Sequence, residues 1–149
     1  MQRKALLIWF VSGALAAIAV GWLAARIHAS GHAPVGLTSF GVGVVLGAAL
    51  SALAASQRLA GARALILGTL LLAILTILAE HAWLYRDFRG QWQEARTKSA
   101  AVAMFRSETP PGPREYFARE FNAPLWCFDA VLVAAAAVGA VLVWQRYRR

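Results

Sequence analysis

Four long apolar stretches alternate with polar segments along the chain. Each apolar stretch is about 20 residues long and carries at most two ionisable groups. A helix rises about 1.5 Å per residue and the bilayer core is about 30 Å thick, so each stretch is long enough to cross a membrane as one helix. The pattern predicts four transmembrane helices, over residues 5–25, 37–56, 64–84 and 126–144.

The composition agrees with a membrane protein. Of the 149 residues, 60% are hydrophobic and 15% are charged. Soluble domains contain about 45 to 50% apolar residues and about 25% charged residues. We therefore expect a single all-α domain, an integral membrane four-helix bundle surrounded by lipid. The single cysteine, Cys127, allows no internal disulfide and no CxxC pair.

The basic residues indicate an orientation and a lipid environment. The formal net charge is +8, but the basic side chains lie beside the spans without the aromatic interleaving of a nucleic-acid interface, so no nucleic-acid partner is predicted. Segments 1–4, 57–63 and 145–149 carry only basic charges, whereas segment 87–124 mixes both signs. The positive-inside rule then predicts that both termini are cytoplasmic (N-in/C-in). The expected location is the inner membrane of a bacterium.

The first apolar run is also compared with a secretory signal peptide, because basic residues precede it. The run from Ala5 to Ala25 is about 20 residues long, against about 7 to 15 for the apolar region of a signal peptide. We expect a retained membrane helix.

Small residues recur at every fourth position in the first two spans. The first has Gly13 and Gly21, and the second has Gly43 and Gly47. Helices in a bilayer associate by close van der Waals approach, which small residues permit. Because a short link makes these helices antiparallel neighbours, we expect them to pack backbone to backbone. The alternative is a chance pattern, since Gly is frequent in membrane helices.

The third span has one polar line on a surface that is otherwise rich in Leu and Ile. At 100° per residue, six positions fall on one side, which we expect to face the bundle. They are Thr69, Ala73, Thr76, Glu80, Trp83 and Asp87.

Two acids lie about one turn inside the same membrane boundary, Glu80 in the third span and Asp129 in the fourth. An ionisable residue inside a membrane is a functional hypothesis by default, and three interpretations compete. The acids stay hydrated near the interface or pair with Arg26, and serve only to fix helix register; or they are the proton- or cation-linked carboxylates of a small transporter; or, with His81, they hold a metal or act as acid and base on a lipid headgroup. Adjacent helical residues point about 100° apart, which disfavours convergence of Glu80 and His81 on one ion.

Other candidate ligands are weaker. His28 and His32 have the i, i+4 spacing that binds metals on a helix, but Gly31 and Pro34 favour a solvated loop there. No span has a histidine at mid-depth, and the chain has no Gly-rich phosphate loop, GxSxG or HExxH motif. We predict no cofactor, no metal and no catalytic residue.

The segment over residues 87–124 is predicted to be partly helical and outside the membrane. An amphipathic helix from Phe88 to Phe105 continues the third span, with Trp92 on its apolar face. The segment Pro110-Pro111-Gly112-Pro113 ends it, and a short helix over 114–121 follows. Its aromatic residues either anchor the segment among headgroups or contact another protein. They are Tyr116, Phe117 and Phe121.

These features favour a non-enzymatic accessory or scaffold subunit. Its outer segment is expected to contact the lipid bilayer surface or a partner, which is another membrane protein or a second copy of the chain. The alternative is a small proton- or cation-coupled transporter using Glu80 and Asp129, although few polar residues lie at mid-depth.

Overall fold

The computed structural model describes residues 2–31, 36–59, 62–99, 109–120 and 123–147, and this part of the chain is almost entirely helical. As predicted, four helices are long and apolar enough to cross a membrane. The fifth is a short helix between the third and fourth long ones. The helices are α1 (Gln2–Ala29), α2 (Leu37–Ser56), α3 (Ala62–Lys98), α4 (Pro113–Glu120) and α5 (Ala123–Tyr147).

The long helices expose large apolar side chains around the outside of the molecule. Leu7, Leu15, Leu71 and Val131 each expose 58 to 67% of their surface. A soluble protein rarely leaves so extensive an apolar surface in water. This apolar exterior is suited to contact with lipid tails.

The longest helix, α3, extends beyond the apolar stretch. It has 37 residues and is therefore about 55 Å long. No proline interrupts it, and it passes Gly90 without a break and ends at Lys98. The predicted continuation of the third span is confirmed to that residue, while Phe105 lies outside the described residues.

The end of α1 differs from the prediction. The helix continues through His28 to Ala29, and Gly31 follows with φ of +71°, the left-handed conformation that commonly ends a helix. The prediction of a loop at His28 is therefore wrong. Gly31 ends the helix only after the turn that contains His28. His32 and Pro34 lie outside the described residues.

Close helix contacts join α1 to α3 and α2 to α5. A methyl group added at Gly21 would lie 2.5 Å from the carbonyl oxygen of Thr76 in α3, and one at Gly43 would lie 2.5 Å from that of Val133 in α5. Gly47 approaches Ala137 of α5 in the same way.

The small-residue faces of α1 and α2 thus turn away from each other, which corrects the expected backbone-to-backbone packing of the first two spans. Gly13 does lie near α2, but it meets the side chain of Leu50 as well as that of Leu72 in α3. The reason is steric: α3 and α5 present alanines, including Ala79 and Ala136, opposite the glycines. Two small surfaces approach more closely than a small and a large one.

The interior between the helices is mostly apolar. Its largest fully buried hydrophobic side chains are Trp9, Leu46, Leu50, Leu65, Leu72 and Val141. The Trp9 indole N–H donates a 2.9 Å hydrogen bond to the Leu50 carbonyl oxygen, which joins α1 to α2. The predicted inward face of α3 is confirmed at its first four positions, since Thr69, Ala73 and Thr76 are fully buried and Glu80 is 7% exposed.

Candidate functional site

A cavity of about 400 Å³ lies at the end of the molecule where α1 ends and α2 and α5 begin. We call this the cavity end. Side chains of all five helices line the cavity, and they bring together two carboxylates, two imidazoles and three aromatic rings. These are Glu80, Asp129, His28, His81, Tyr116, Phe117 and Trp126.

Glu80 and His28 form the pair that joins α1 to α3. The His28 Nδ1 atom lies 2.5 Å from Oε1 of Glu80. The Glu80 side chain is only 10% exposed, while that of His28 is 43% exposed. A buried carboxylate needs a partner to offset its lost hydration, and His28 supplies it from the last turn of α1.

Asp129 has a partner on α2. The Ser39 hydroxyl donates a 2.6 Å hydrogen bond to Oδ1 of Asp129. Ser39 is itself buried. Because a hydroxyl is neutral, this contact satisfies one acceptor position of Asp129 without balancing the charge of a carboxylate.

His81 lies beside Glu80 in sequence but has different contacts. Its Nδ1–H donates a 2.8 Å hydrogen bond to the Ile77 carbonyl oxygen. Its ring centroid is 3.7 Å from that of Trp126, with the two planes tilted by 47°. His81 and Trp126 therefore join α3 to α5 on one wall of the cavity.

Helix α4 covers part of the cavity through its aromatic residues. Phe117 meets Trp126 edge to face at 6.1 Å, and Tyr116 lies 4.7 Å from the ring of Phe88 on α3. The Tyr85 hydroxyl donates a 3.0 Å hydrogen bond to the Pro111 carbonyl oxygen, just before α4 begins. The proline-rich turn and α4 are thus folded onto α3.

The expected pairing of Glu80 or Asp129 with Arg26 is wrong. Its guanidinium lies 4.0 Å from Asp87 and 5.6 Å from the ring of Trp22, and its side chain is 59% exposed. Neither Glu80 nor Asp129 has Arg26 as its hydrogen-bond partner. The Arg26 side chain lies at the surface beside Asp87 of α3, and His28 rather than Arg26 reaches the buried Glu80.

Three of the expected aromatic contact residues lie in the described part of the chain. Tyr116 and Phe117 pack on the chain itself, and Trp92 lies 5.7 Å from the ring of Phe88 on α3. Phe121 lies outside the described residues.

Sequence reasoning missed three site residues, namely His28, Ser39 and Trp126. Two of them carry a weak signal in the sequence. Nothing that breaks a helix separates Ala25 from His28, and Ser39 stands at the start of α2, at the depth of Asp129 on its antiparallel neighbour.

The cavity thus combines paired carboxylates with aromatic walls. Within the described ranges, no group of three or more His, Cys, Asp and Glu side chains is placed to hold a metal ion. Comparison with known protein families, curated proteins and solved structures finds no match for the chain.

Proposed function

We propose that this chain is a non-enzymatic accessory subunit of a membrane complex. In this proposal α1, α2, α3 and α5 form a four-helix bundle in the inner membrane of a bacterium, with both termini in the cytoplasm. We call residues 85–98 of α3 together with helix α4 the outer lobe. The outer lobe lies on the side of the membrane opposite the cytoplasm and contacts a partner membrane protein.

The height of the outer lobe is the observation that carries this proposal. From Leu84 to Lys98, α3 rises about 20 Å beyond the apolar stretch. The interfacial region of a bilayer adds only about 6 Å on each side. A helix end at that height stands beyond the headgroups, where a protein surface is a more suitable contact than lipid.

The arrangement of side chains on the outer lobe supports the same function. Tyr116 and Phe117 pack against α3 and α5, so they are not free to anchor in a membrane. The exposed surface instead carries charges of both signs, including the pairs Glu94 with Lys98 and Glu115 with Arg119. Mixed polar surfaces of this kind are typical of the rim of a protein interface.

The hydrogen bonds in the cavity disfavour one class of enzyme, a hydrolase with a Ser–His nucleophile. The Ser39 hydroxyl donates to Asp129 rather than to an imidazole. His28 is paired with Glu80, and His81 donates to the Ile77 backbone. Neither described imidazole therefore lies within hydrogen-bond reach of the Ser39 hydroxyl to act as its base.

Site-specific photocrosslinking tests the partner contact. A photoreactive phenylalanine analogue is introduced in place of exposed Gln93 on the outer lobe, or of Tyr147, 89% exposed at the end of α5. After illumination in intact cells we expect one discrete adduct from position 93 and none of the same mass from position 147. Lipid-only adducts at position 93, or identical adducts at both positions, would overturn the proposal.

Orientation is tested separately. A reporter that functions only in the cytoplasm is expected to be active when it is fused after Arg149. Activity of a periplasm-dependent reporter at that position would show that the C-terminus lies outside.

A small proton-coupled transporter is the second candidate, and the buried Glu80 paired with His28 favours it. The mostly apolar interior between the helices, with Trp9 and Leu72 fully buried, favours the accessory role. Flux of protons into vesicles containing the purified chain, abolished by Glu80→Gln while the variant remains folded, would establish transport. Equal background flux in both forms would exclude it.

A further inference from the structure

The lining of the cavity has a charge that differs from that of the chain. The chain has 15 Lys and Arg against 7 Asp and Glu. Among the described residues that line the cavity, however, two are acids and none is Lys or Arg. Clefts lined by one sign of charge concentrate ligands of the opposite sign. The described lining therefore has two acids and two histidines, of which His28 pairs with Glu80, and it favours a cation over an anion.

The two carboxylates retain the capacity to accept further hydrogen bonds. Oε1 of Glu80 is hydrogen-bonded to His28, and Oδ1 of Asp129 accepts a hydrogen bond from Ser39. An ionised carboxylate offers about four acceptor positions. Even when a protonated His28 balances Glu80, Ser39 leaves the charge of Asp129 unbalanced. A ligand that carries both positive charge and N–H donors matches this pair.

The aromatic wall indicates an organic cation. Trp126 lines the cavity between His81 at 3.7 Å and Phe117 at 6.1 Å, and Tyr116 lies next to Phe117 at 5.3 Å. Aromatic faces attract ammonium groups through their quadrupole and also contact alkyl carbons. The volume of about 400 Å³ lies within the range of small-molecule sites.

We propose that the cavity binds a primary alkylammonium group. Its N–H donors face the carboxylates of Glu80 and Asp129, and its alkyl part lies against Trp126 and Phe117. The site does not depend on the partner contact of the outer lobe. Two sources present this chemistry at a membrane surface, namely a free amine and the headgroup of an aminophospholipid.

Calorimetric titration of the full chain with ethylammonium chloride tests this proposal. The protein is purified in a maltoside detergent, which has no ammonium group. We expect saturable binding of ethylammonium and none of ethanol, its neutral analogue. Tetramethylammonium, which lacks N–H donors, is expected to bind at least tenfold more weakly. Absence of saturable ethylammonium binding would overturn the proposal.

Matched variants separate the site from general electrostatics. Asp129→Asn and Trp126→Leu are each expected to weaken ethylammonium binding at least tenfold. Asp87→Asn is the control, because Asp87 is an acid on α3 that does not line the cavity and lies 4.0 Å from Arg26. If Asp129→Asn fails to fold, Trp126→Leu carries the test. Unchanged binding in the cavity variants, or an equal loss in Asp87→Asn, would contradict the assignment.

The source of the ammonium group is distinguished in nanodiscs. Discs of phosphatidylglycerol with either phosphatidylethanolamine or phosphatidylcholine in the same proportion have matched surface charge. Weaker ethylammonium binding with phosphatidylethanolamine would show that a lipid headgroup occupies the cavity. Equal binding in both discs would identify a free amine as the ligand, and binding in neither would contradict the proposal.

Discussion

The Nδ1 atom of His28 lies 2.5 Å from Oε1 of Glu80, so one hydrogen bond joins the last turn of α1 to the buried face of α3. The two residues are 52 positions apart in the chain. This contact gives the buried acid of α3 a partner on α1.

Removing His28 or Glu80 is expected to remove most of the pair's contribution to the free energy of unfolding. His28→Ala leaves the Glu80 carboxylate buried without its partner and should lower the free energy of unfolding by about 2 kcal/mol. Once Glu80→Gln is present, the same change at His28 should cost much less. Reversible denaturation in mixed micelles measures the four free energies of this double-mutant cycle. Asp87→Asn, at a partly exposed 4.0 Å contact with Arg26, should change stability by less than about 0.5 kcal/mol. Additive effects of the His28 and Glu80 substitutions would show that the pair is not coupled.

Substitutions at two glycines of α2 distinguish the effect of close helix contact from that of helix propensity. A methyl group at Gly43 would lie 2.5 Å from the Val133 carbonyl oxygen, whereas one at Gly41 would meet nothing within 4 Å. Gly43→Ala should force α2 and α5 apart and destabilise the fold by about 1 to 3 kcal/mol. Gly41→Ala should be neutral or stabilising by up to about 1 kcal/mol. Thermal unfolding in detergent compares them, and equal melting temperatures would argue against close contact at Gly43.

The sequence predicted the parts of this fold that depend on local pattern. Four apolar runs indicated four spanning helices, and the polar line of α3 indicated its buried face, because one polar stripe on an apolar helix has a single favourable orientation in lipid. By contrast, α1 is apolar on nearly every side, so its pattern does not show which face meets α3. For that reason the contact of Gly21 with Thr76 and the pairing of His28 with Glu80 were not predictable. Both depend on the rotation of α1 about its axis.

The polar line also contains a matched pair of threonines. Both are fully buried, but Thr76 donates a 2.9 Å hydrogen bond to the Leu72 carbonyl oxygen, while in the described part of the chain the Thr69 hydroxyl has no partner. A buried hydroxyl without a hydrogen bond costs about 1 to 3 kcal/mol. Thr69→Val should therefore raise the melting temperature, and Thr76→Val should lower it or leave it unchanged. A lower melting temperature for Thr69→Val would show that its hydroxyl is satisfied.

Trp9 and Gly68 provide a test of complementary packing between α1 and α3. A methyl group at Gly68 would lie 2.5 Å from Cζ3 of the Trp9 ring. Gly68→Ala is therefore expected to destabilise the protein by about 1 to 3 kcal/mol. In a Trp9→Leu background, which removes the six-membered ring, the same substitution should cost distinctly less. The cycle is measured by denaturation as above, and an unchanged cost in the second background would show that the strain arises elsewhere.

The aromatic contacts of α4 are expected to decide how often the cavity opens. Phe117 touches both His81 and Trp126, at centroid distances of 6.4 and 6.1 Å. Phe117→Ala should remove this attachment and raise the exchange rate of the α4 backbone amides about tenfold, because local opening depends on few buried contacts. Glu115→Gln breaks an exposed ion pair with Arg119 within α4 and should change exchange at Phe117 far less. Hydrogen exchange followed by mass spectrometry compares the two variants. Equal acceleration would show that α4 is held by its own helix stability, whereas a selective effect of Phe117→Ala would establish the ring contacts as the closure of the cavity.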